Sequence, residues 1–207
     1  MGERQTSSLL VVISAPSGGG KTTVCQQLLA NRPGLARVVT CTTRPPRAGE
    51  REGVDYFFLD SATFLKRVEA GHFLEHATVF AHFYGTLKSE VMEKLRQGTD
   101  VLLAIDVQGA ASIRAAAEKD AELQRALVTV FLTPPSLAIL EQRLRNRGLD
   151  APAVIEERLR MARQEITRAP EYDYLVISGT IPEDLRRMLA IIEVEKMRTT
   201  RMAAPEV

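Results

Sequence analysis

Apolar and polar positions along the 207-residue chain follow two alternating periods. Short, nearly continuous apolar runs, Leu9 to Ile13, Val101 to Ile105, Leu127 to Leu132 and Tyr174 to Ile177, have the length and content of strands buried on both faces. Helical spacing separates them. Val24, Leu28 and Leu29 share a face behind the first run, Ser89 to Gln97 precedes the second, and Leu185, Met188, Leu189 and Ile192 line a terminal helix opened by Pro182. Between the third and fourth runs, Thr133-Pro134-Pro135 breaks the chain before a helical pair. One member packs through Leu137, Leu140 and Leu144, with Gly148 as its cap; the other begins at Pro152 and carries Ile155, Leu159, Ala162 and Ile166. Strands alternating with helices predict an α/β fold, a parallel sheet covered by helices on both faces.

Residues 36–90 depart from this rhythm. Ala36 to Thr40 reads as a short strand leading into Cys41 to Glu50, an ordered loop with two prolines and two arginines that presents cations. Tyr56 to Leu59 and His72 to Phe80 read as strands around a helix from Ser61 to Ala70, the second strand ending before Phe83-Tyr84-Gly85-Thr86. This is a small β-rich insertion.

The chemistry starts behind Leu9 to Ile13. Ala15-Pro16-Ser17-Gly18-Gly19-Gly20-Lys21-Thr22-Thr23 has the form of a phosphate-binding P-loop, with Ala15 at the first glycine position and Gly20, Lys21 and Thr22 filling the rest. Glycines let the loop curl with its N–H groups turned towards an anion, and the phosphate then rests on a helix N-terminus. Lys21 brings positive charge to the outer phosphates of a nucleotide, and the Thr22 hydroxyl is placed for the accompanying magnesium. A glycine-rich turn followed by a surface lysine is the plainer reading; the buried strand before and helix after favour the P-loop. Asp106, at the end of another core strand, has the position of a magnesium-site acid in such proteins. Arg143 and Arg147, four residues apart, share one face of the first helix of the pair, and Arg158 stands beside the stripe of the second.

Composition narrows the partners. A formal net charge of +1 argues against a general nucleic-acid binder, and no apolar run approaches the roughly 18 residues that span a bilayer. No signal-peptide stretch opens the sequence, so a soluble, cytoplasmic protein is expected. The opening Met1-Gly2-Glu3-Arg4-Gln5-Thr6 fits an N-myristoylation pattern without a supporting second signal and reads as a disordered tail. Cys25 and Cys41 make neither a metal pair nor a redox motif. His72-Phe73-Leu74-Glu75-His76 matches an inverted zinc-protease pattern, but in a strand its histidines stand about 13 Å apart, too far to share a metal.

The sequence as a whole resembles guanylate kinase, the family that moves a phosphoryl group from ATP to GMP. The resemblance rests on Ser14 to Gly18, Thr42 to Glu50, Asp55-Tyr56, Phe73-Leu74-Glu75, Tyr84-Gly85-Thr86, Ile105 to Gly109, Pro134-Pro135-Ser136, Arg143-Leu144 and Arg147-Gly148. It implies a P-loop core (residues 1–38, 91–133 and 171–207), a GMP-binding insertion (39–90) and a mobile lid (134–170). It assigns Arg44, Arg47, Tyr56 and Tyr84 to the GMP phosphate, Glu50 to the same site, and Thr40, Glu75, Thr86 and Asp106 to guanine or its surroundings. Lys21, Arg143, Arg147 and Arg158 become the catalytic cations. Magnesium would be held by Thr22 and Asp106, directly or through water, with no tightly bound organic cofactor. Two positions depart from many relatives, Ala104 where an acid is common and Ser178 where an asparagine is. The rival readings are a non-catalytic protein-binding module of the same fold and a kinase for another acceptor. The intact Gly20, Lys21, Thr22, Arg44 and Arg47 weigh against the first, and Glu75 with Thr86 against the second.

Overall fold

The computed structural model describes residues 7–79, 81–146, 148 and 151–202. Arg147 and the opening hexapeptide read as a tail lie outside the described residues. A five-stranded sheet in the order β2-β7-β1-β8-β9 forms the centre: β1 (Leu10–Ser14), β2 (Leu35–Arg37), β7 (Asp100–Ala104), β8 (Leu127–Thr133) and β9 (Tyr174–Ile177). Every pairing in it is parallel. All five residues of β1 are buried, as expected of a strand with helices on both sides.

Alternation along β1 divides the core. Leu10 and Val12 face a layer that includes Val91, Met92 and Leu95 of α3 (Lys88–Arg96), Ala110 and Ile113 of α4 (Val107–Ala117) and Leu123 of α5 (Ala121–Ala126). Leu9, Val11 and Ile13 face Val24 and Leu28 of α1 (Lys21–Asn31) and Met188 and Ile192 of α8 (Ile181–Lys196). The helical pair, α6 (Leu137–Asn146) and α7 (Pro152–Ile166), has a core of its own in Leu140, Leu144, Ile155 and Ala162.

A second sheet of four strands, β4-β3-β6-β5, contains β3 (Thr40–Thr42), β4 (Tyr56–Phe58), β5 (Phe73–Val79) and β6 (His82–Leu87). Phe64 of α2 (Ser61–Glu69) stacks on Phe73 and Phe83 on one side of it, at centroid distances of 4.6 and 5.4 Å. Two stretches connect it to the first sheet, Val38-Val39 between β2 and β3, and the peptide bond from Leu87 to Lys88 between β6 and α3. A third, non-covalent tie is Leu74 of β5, buried in the layer that holds Val107 and Ala110 of α4.

Three expectations are corrected here. The strand read at Ala36 to Thr40 is two strands in different sheets: Leu35 to Arg37 pair with Asp100 to Leu102, and Thr40 to Thr42 pair with Tyr56 to Phe58. The period of the apolar positions carries no information about which sheet each half joins. Cys41 and Thr42 therefore belong to β3 and not to the loop. Phe83 to Thr86 is the body of β6, the antiparallel partner of β5. Helices α4 and α5, absent from the sequence reading, are alanine-rich with weak apolar stripes, but each is announced by a capping acid. Asp106 Oδ1 accepts from the Gln108 and Gly109 amides at 3.0 and 2.8 Å, and Asp120 Oδ1 accepts from Glu122 and Leu123.

At the end of the first sheet where β1 begins, Asp100 is a buried hub. Its carboxylate accepts from the Leu9 amide at 2.9 Å, from Arg32 at 3.2 Å and from Lys196 at 2.6 Å. Nearby, Arg201 pairs with buried Glu195 and donates to the Arg125 and Leu127 carbonyls. No helix among the described residues is long and apolar enough to cross a membrane.

Candidate active site

The opposite end of the sheet, where parallel strands point their C-termini and binding crevices form, carries the P-loop. Gly18 and Gly20 have φ values of +89° and +98°, which only residues without a Cβ adopt readily, and Gly20 is the N-cap of α1. Gly18 meets a second constraint: a Cβ there would lie 2.9 Å from Leu144 Cδ2 and 3.0 Å from Leu140 Cδ1. The loop thus nests against the core of the α6–α7 pair. Lys21 begins α1 and donates from Nζ to the Ile105 carbonyl at 2.8 Å. Burial draws its ammonium below its ordinary pKa, opposed by Cys25 and the carboxylates of Asp106 and Glu165. A phosphate arriving here would meet an under-solvated cation.

Lys21 and Thr22 form one wall of a cleft of about 460 Å³. Its floor is the end of β7 with Ala104, Ile105 and Asp106, and its far wall is the second sheet. Pairing explains why that sheet turns a polar face inward. Thr40 lies beside Tyr56, Thr42 beside Tyr84, Tyr84 beside Ala77 and Thr86 beside Glu75. With side chains alternating along each strand, all of these share one face and Phe83 the other; a register shift between Phe73 and Glu75 turns Phe73 to that other face too, where both rings join the aromatic stack.

Glu75 is the buried acid of this face, 7% exposed; its Oε1 accepts from the Thr86 hydroxyl at 2.6 Å. Burial raises its carboxyl above the ordinary 4.5, the bond from Thr86 lowers it, and the Asp106 charge raises it. Further along, Arg44 lies over the Tyr56 ring at 5.6 Å, and Tyr56 meets Tyr84 edge-on at 6.1 Å. Glu50 grips Arg44 with both oxygens, at 2.7 and 2.9 Å, and also accepts from the Arg47 amide at 2.7 Å. Both contacts hold the Glu50 carboxyl below its ordinary range, the Arg44 one foremost. Glu50 is therefore a partner of the arginine, and the Arg47 side chain is exposed.

The helical pair overlies the P-loop. Arg158 donates to the Ser17 hydroxyl at 2.8 Å, and Arg143 donates to Ser178 Oγ at 3.2 Å. Ser178 in turn donates to buried Asp184 at 2.8 Å. A second cavity of about 350 Å³ lies here, lined by Gly18, Gly20, Thr23, Arg143, Ser178 and Asp184 among others. The predicted residues Lys21, Thr22, Thr40, Tyr56, Glu75, Tyr84 and Asp106 all line the larger cleft, and Thr86 supports it through Glu75. Sequence reasoning missed Arg37 and Gln26 on the cleft wall, and Asp184. It also missed Glu165, whose carboxyl is raised by burial and by Asp106 and lowered by Lys21. The available signal was spacing, since Glu165 lies two helical turns beyond Arg158 on the same face of α7.

A parallel sheet with a glycine-rich phosphate loop after its first strand, facing a second sheet across a polar cleft, defines a P-loop α/β nucleotide-binding protein. Residues 7–195 match the sequence model of the family described as Guanylate kinase. The chain is 44% identical over 198 residues to "Guanylate kinase" of Methylococcus capsulatus, covering 96% of this chain and 94% of that one. With "Guanylate kinase" of Maricaulis maris it shares 42% identity over 193 residues, 93% of this chain and 86% of the relative. The crystal structure of guanylate kinase from Anaplasma phagocytophilum superimposes with a TM-score of 0.74 at 31% identity, covering 97% and 93% of the two chains. The chain belongs to the guanylate kinase family.

Proposed function

We propose that the protein transfers the γ-phosphoryl group of ATP to GMP, giving ADP and GDP, with residues 39–90 as the GMP-binding unit and 134–170 as the lid. The observation that carries this reading is a single cleft bounded by the P-loop lysine on one side and by a buried carboxylate beside a hydroxyl on the other. Guanine offers two adjacent donors, N1–H and the exocyclic amine, which suit the Glu75 carboxylate. Adenine lacks that pair and would leave a buried carboxylate unsatisfied. Arg44, Arg47, Tyr56 and Tyr84 supply the forked and hydroxyl donors that a phosphate dianion needs, with Glu50 holding Arg44 in orientation.

The attacking atom is a GMP phosphate oxygen. Its bond to the γ-phosphorus forms as the bond from that phosphorus to the bridging oxygen of ADP breaks. The nucleophile is already anionic, so no strong base is required, and catalysis consists of alignment and charge neutralisation. Lys21, Arg143, Arg147 and Arg158 supply the charge, and a lid that rests on the P-loop keeps water away. The second cavity, beside Arg143 and Ser178, suits the adenosine of ATP.

Magnesium fits the donor set. The Thr22 hydroxyl is exposed at the start of α1, and Asp106 lines the cleft while its Oδ1 caps α4. Ala104 beside it offers no oxygen, so Asp106 is the one carboxylate at the end of β7, a set suited to an ion that keeps several waters. When bound, the ion neutralises charge on the β- and γ-phosphates. Free, buried Cys25 and Cys41 suit the reducing cytoplasm. The test is a coupled ADP assay with magnesium and ATP over GMP, AMP, CMP and UMP. GDP formation from GMP at a kcat/KM orders of magnitude above the others is expected; equal rates, or none, would falsify the reading.

A further inference from the structure

We propose that Gly109 is a positioning residue for the acceptor base, its missing side chain being what lets the Glu75 carboxylate lie against the first turn of α4. The proposal rests on the assignment of Glu75 as the reader of guanine. Gly109 is the third residue of α4, and its amide donates to Asp106 Oδ1 at 2.8 Å. A Cβ built on it would lie 3.0 Å from Glu75 Oε2, and 3.3 and 3.4 Å from Ile105 Cδ1 and Cβ. The first of these is closer than a methyl carbon and a carboxylate oxygen ordinarily approach. Glu75 has little room to yield. It is buried, and its other oxygen is held at 2.6 Å by the hydroxyl of Thr86, which is 0% exposed.

Backbone conformation does not explain the glycine. Gly109 is not among the positive-φ glycines, and inside an ordinary helix glycine is less favourable than alanine. The sequence forgoes helix stability at this point, and the close approach of the Glu75 carboxylate is what it gains. The same approach sets Glu75 beside the first turn of α4, whose capping acid Asp106 adds to burial in raising the Glu75 carboxyl. A methyl would displace the carboxylate by a few tenths of an ångström. Its two bonds to guanine would then lose alignment.

The experiment compares the full-length protein with Gly109→Ala, Glu75→Asp and the double variant, measuring kcat, the KM for GMP and Tm. Gly109→Ala should raise the KM for GMP about tenfold with kcat within about twofold, while Tm holds or rises. Glu75→Asp withdraws the carboxylate by about one bond length and should itself raise KM. In that background Gly109→Ala should add less than about twofold, because the contact is already gone. If Glu75→Asp leaves the KM for GMP unchanged, Glu75 does not read the base and the inference falls with it. Should Glu75→Asp raise KM while Gly109→Ala does nothing, or acts equally in both backgrounds, Glu75 keeps its role and Gly109 does not act through it. A lowered Tm with equal losses in kcat and kcat/KM would make the glycine a matter of packing alone, which also overturns the proposal.

Discussion

In the proposed acceptor site the chemistry is concentrated in one titratable group, Glu75. Burial makes its ionised form less favourable in the folded protein than in the unfolded chain, so its folded pKa stands above 4.5. The stability it contributes is complete below the unfolded value and is lost as pH rises through the folded one. Glu75→Gln, which cannot ionise, should therefore gain stability over the parent at neutral pH and show no gain in acid, as thermal melts across that range would reveal. Function runs the other way. In the proposed site guanine is held by the carboxylate, so the KM for GMP should rise as pH falls through the folded pKa of Glu75, and Glu75→Gln should lack that component. A parent protein whose KM keeps the same pH profile as Glu75→Gln would remove the carboxylate from base recognition. The place of Lys21 at the start of α1 was legible from one motif, because a P-loop needs contiguous residues. Glu165 and Asp184 were not, since their partners Lys21 and Ser178 meet them only after folding.

At the level of elements, the core strands and α2, α3, α6, α7 and α8 were legible because their apolar periods are strong and their ends carry proline, glycine or capping residues, and α1 because the phosphate-loop motif opens it. The split between β2 and β3 was not, since pairing partners are a property of the folded sheets. The helical pair is the element whose position has a direct kinetic reading. Its core nests on Gly18 and its Arg158 reaches Ser17, so its placement and the shape of the phosphate loop are joined. Arg158→Ala should lower kcat by about 10- to 100-fold while the KM for GMP changes little, because the proposed acceptor site lies across the cleft. Steady-state kinetics with GMP varied at saturating ATP check this. A raised KM at unaltered kcat would move Arg158 to the acceptor side.

Across the whole molecule, the two ends of the central sheet divide the work. The P-loop end carries glycines at positive φ, an under-solvated lysine and the cleft; the Asp100 end ties β7, α1, α8 and the chain before β1 together. Asp100→Ala would leave the Leu9 amide and two cations without their shared acceptor and should cost about 3 kcal/mol. For a chain of this size that corresponds to a Tm lower by roughly 6–12 °C. Turnover at 25 °C should stay close to that of the parent, because nothing at this end touches the cleft. A calorimetric Tm within a degree of the parent's would refute the hub.

The second sheet is joined to the first by the chain at Val38-Val39 and at Leu87-Lys88, and Leu74 packs on α4 at the same edge, so its easy rotation is about the line through these three points. Thr40, Thr86 and Glu75 sit at that pinned edge, Tyr84 is farther out, and Arg44, Arg47 and Glu50 lie beyond β3. The sheet is thus a lever with its fulcrum under the residues assigned to the base, with Tyr56 beside Thr40 at the same edge, and its long arm under Tyr84 and the Arg44 to Glu50 segment. Nitroxide pairs should show a large change in distance from the core to Ala48 on adding GMP, and little change from the core to His72; equal changes would refute the lever. Under that mechanics the base can be inspected while the arm is still raised, and only an acceptor that has already passed is swung towards the donor.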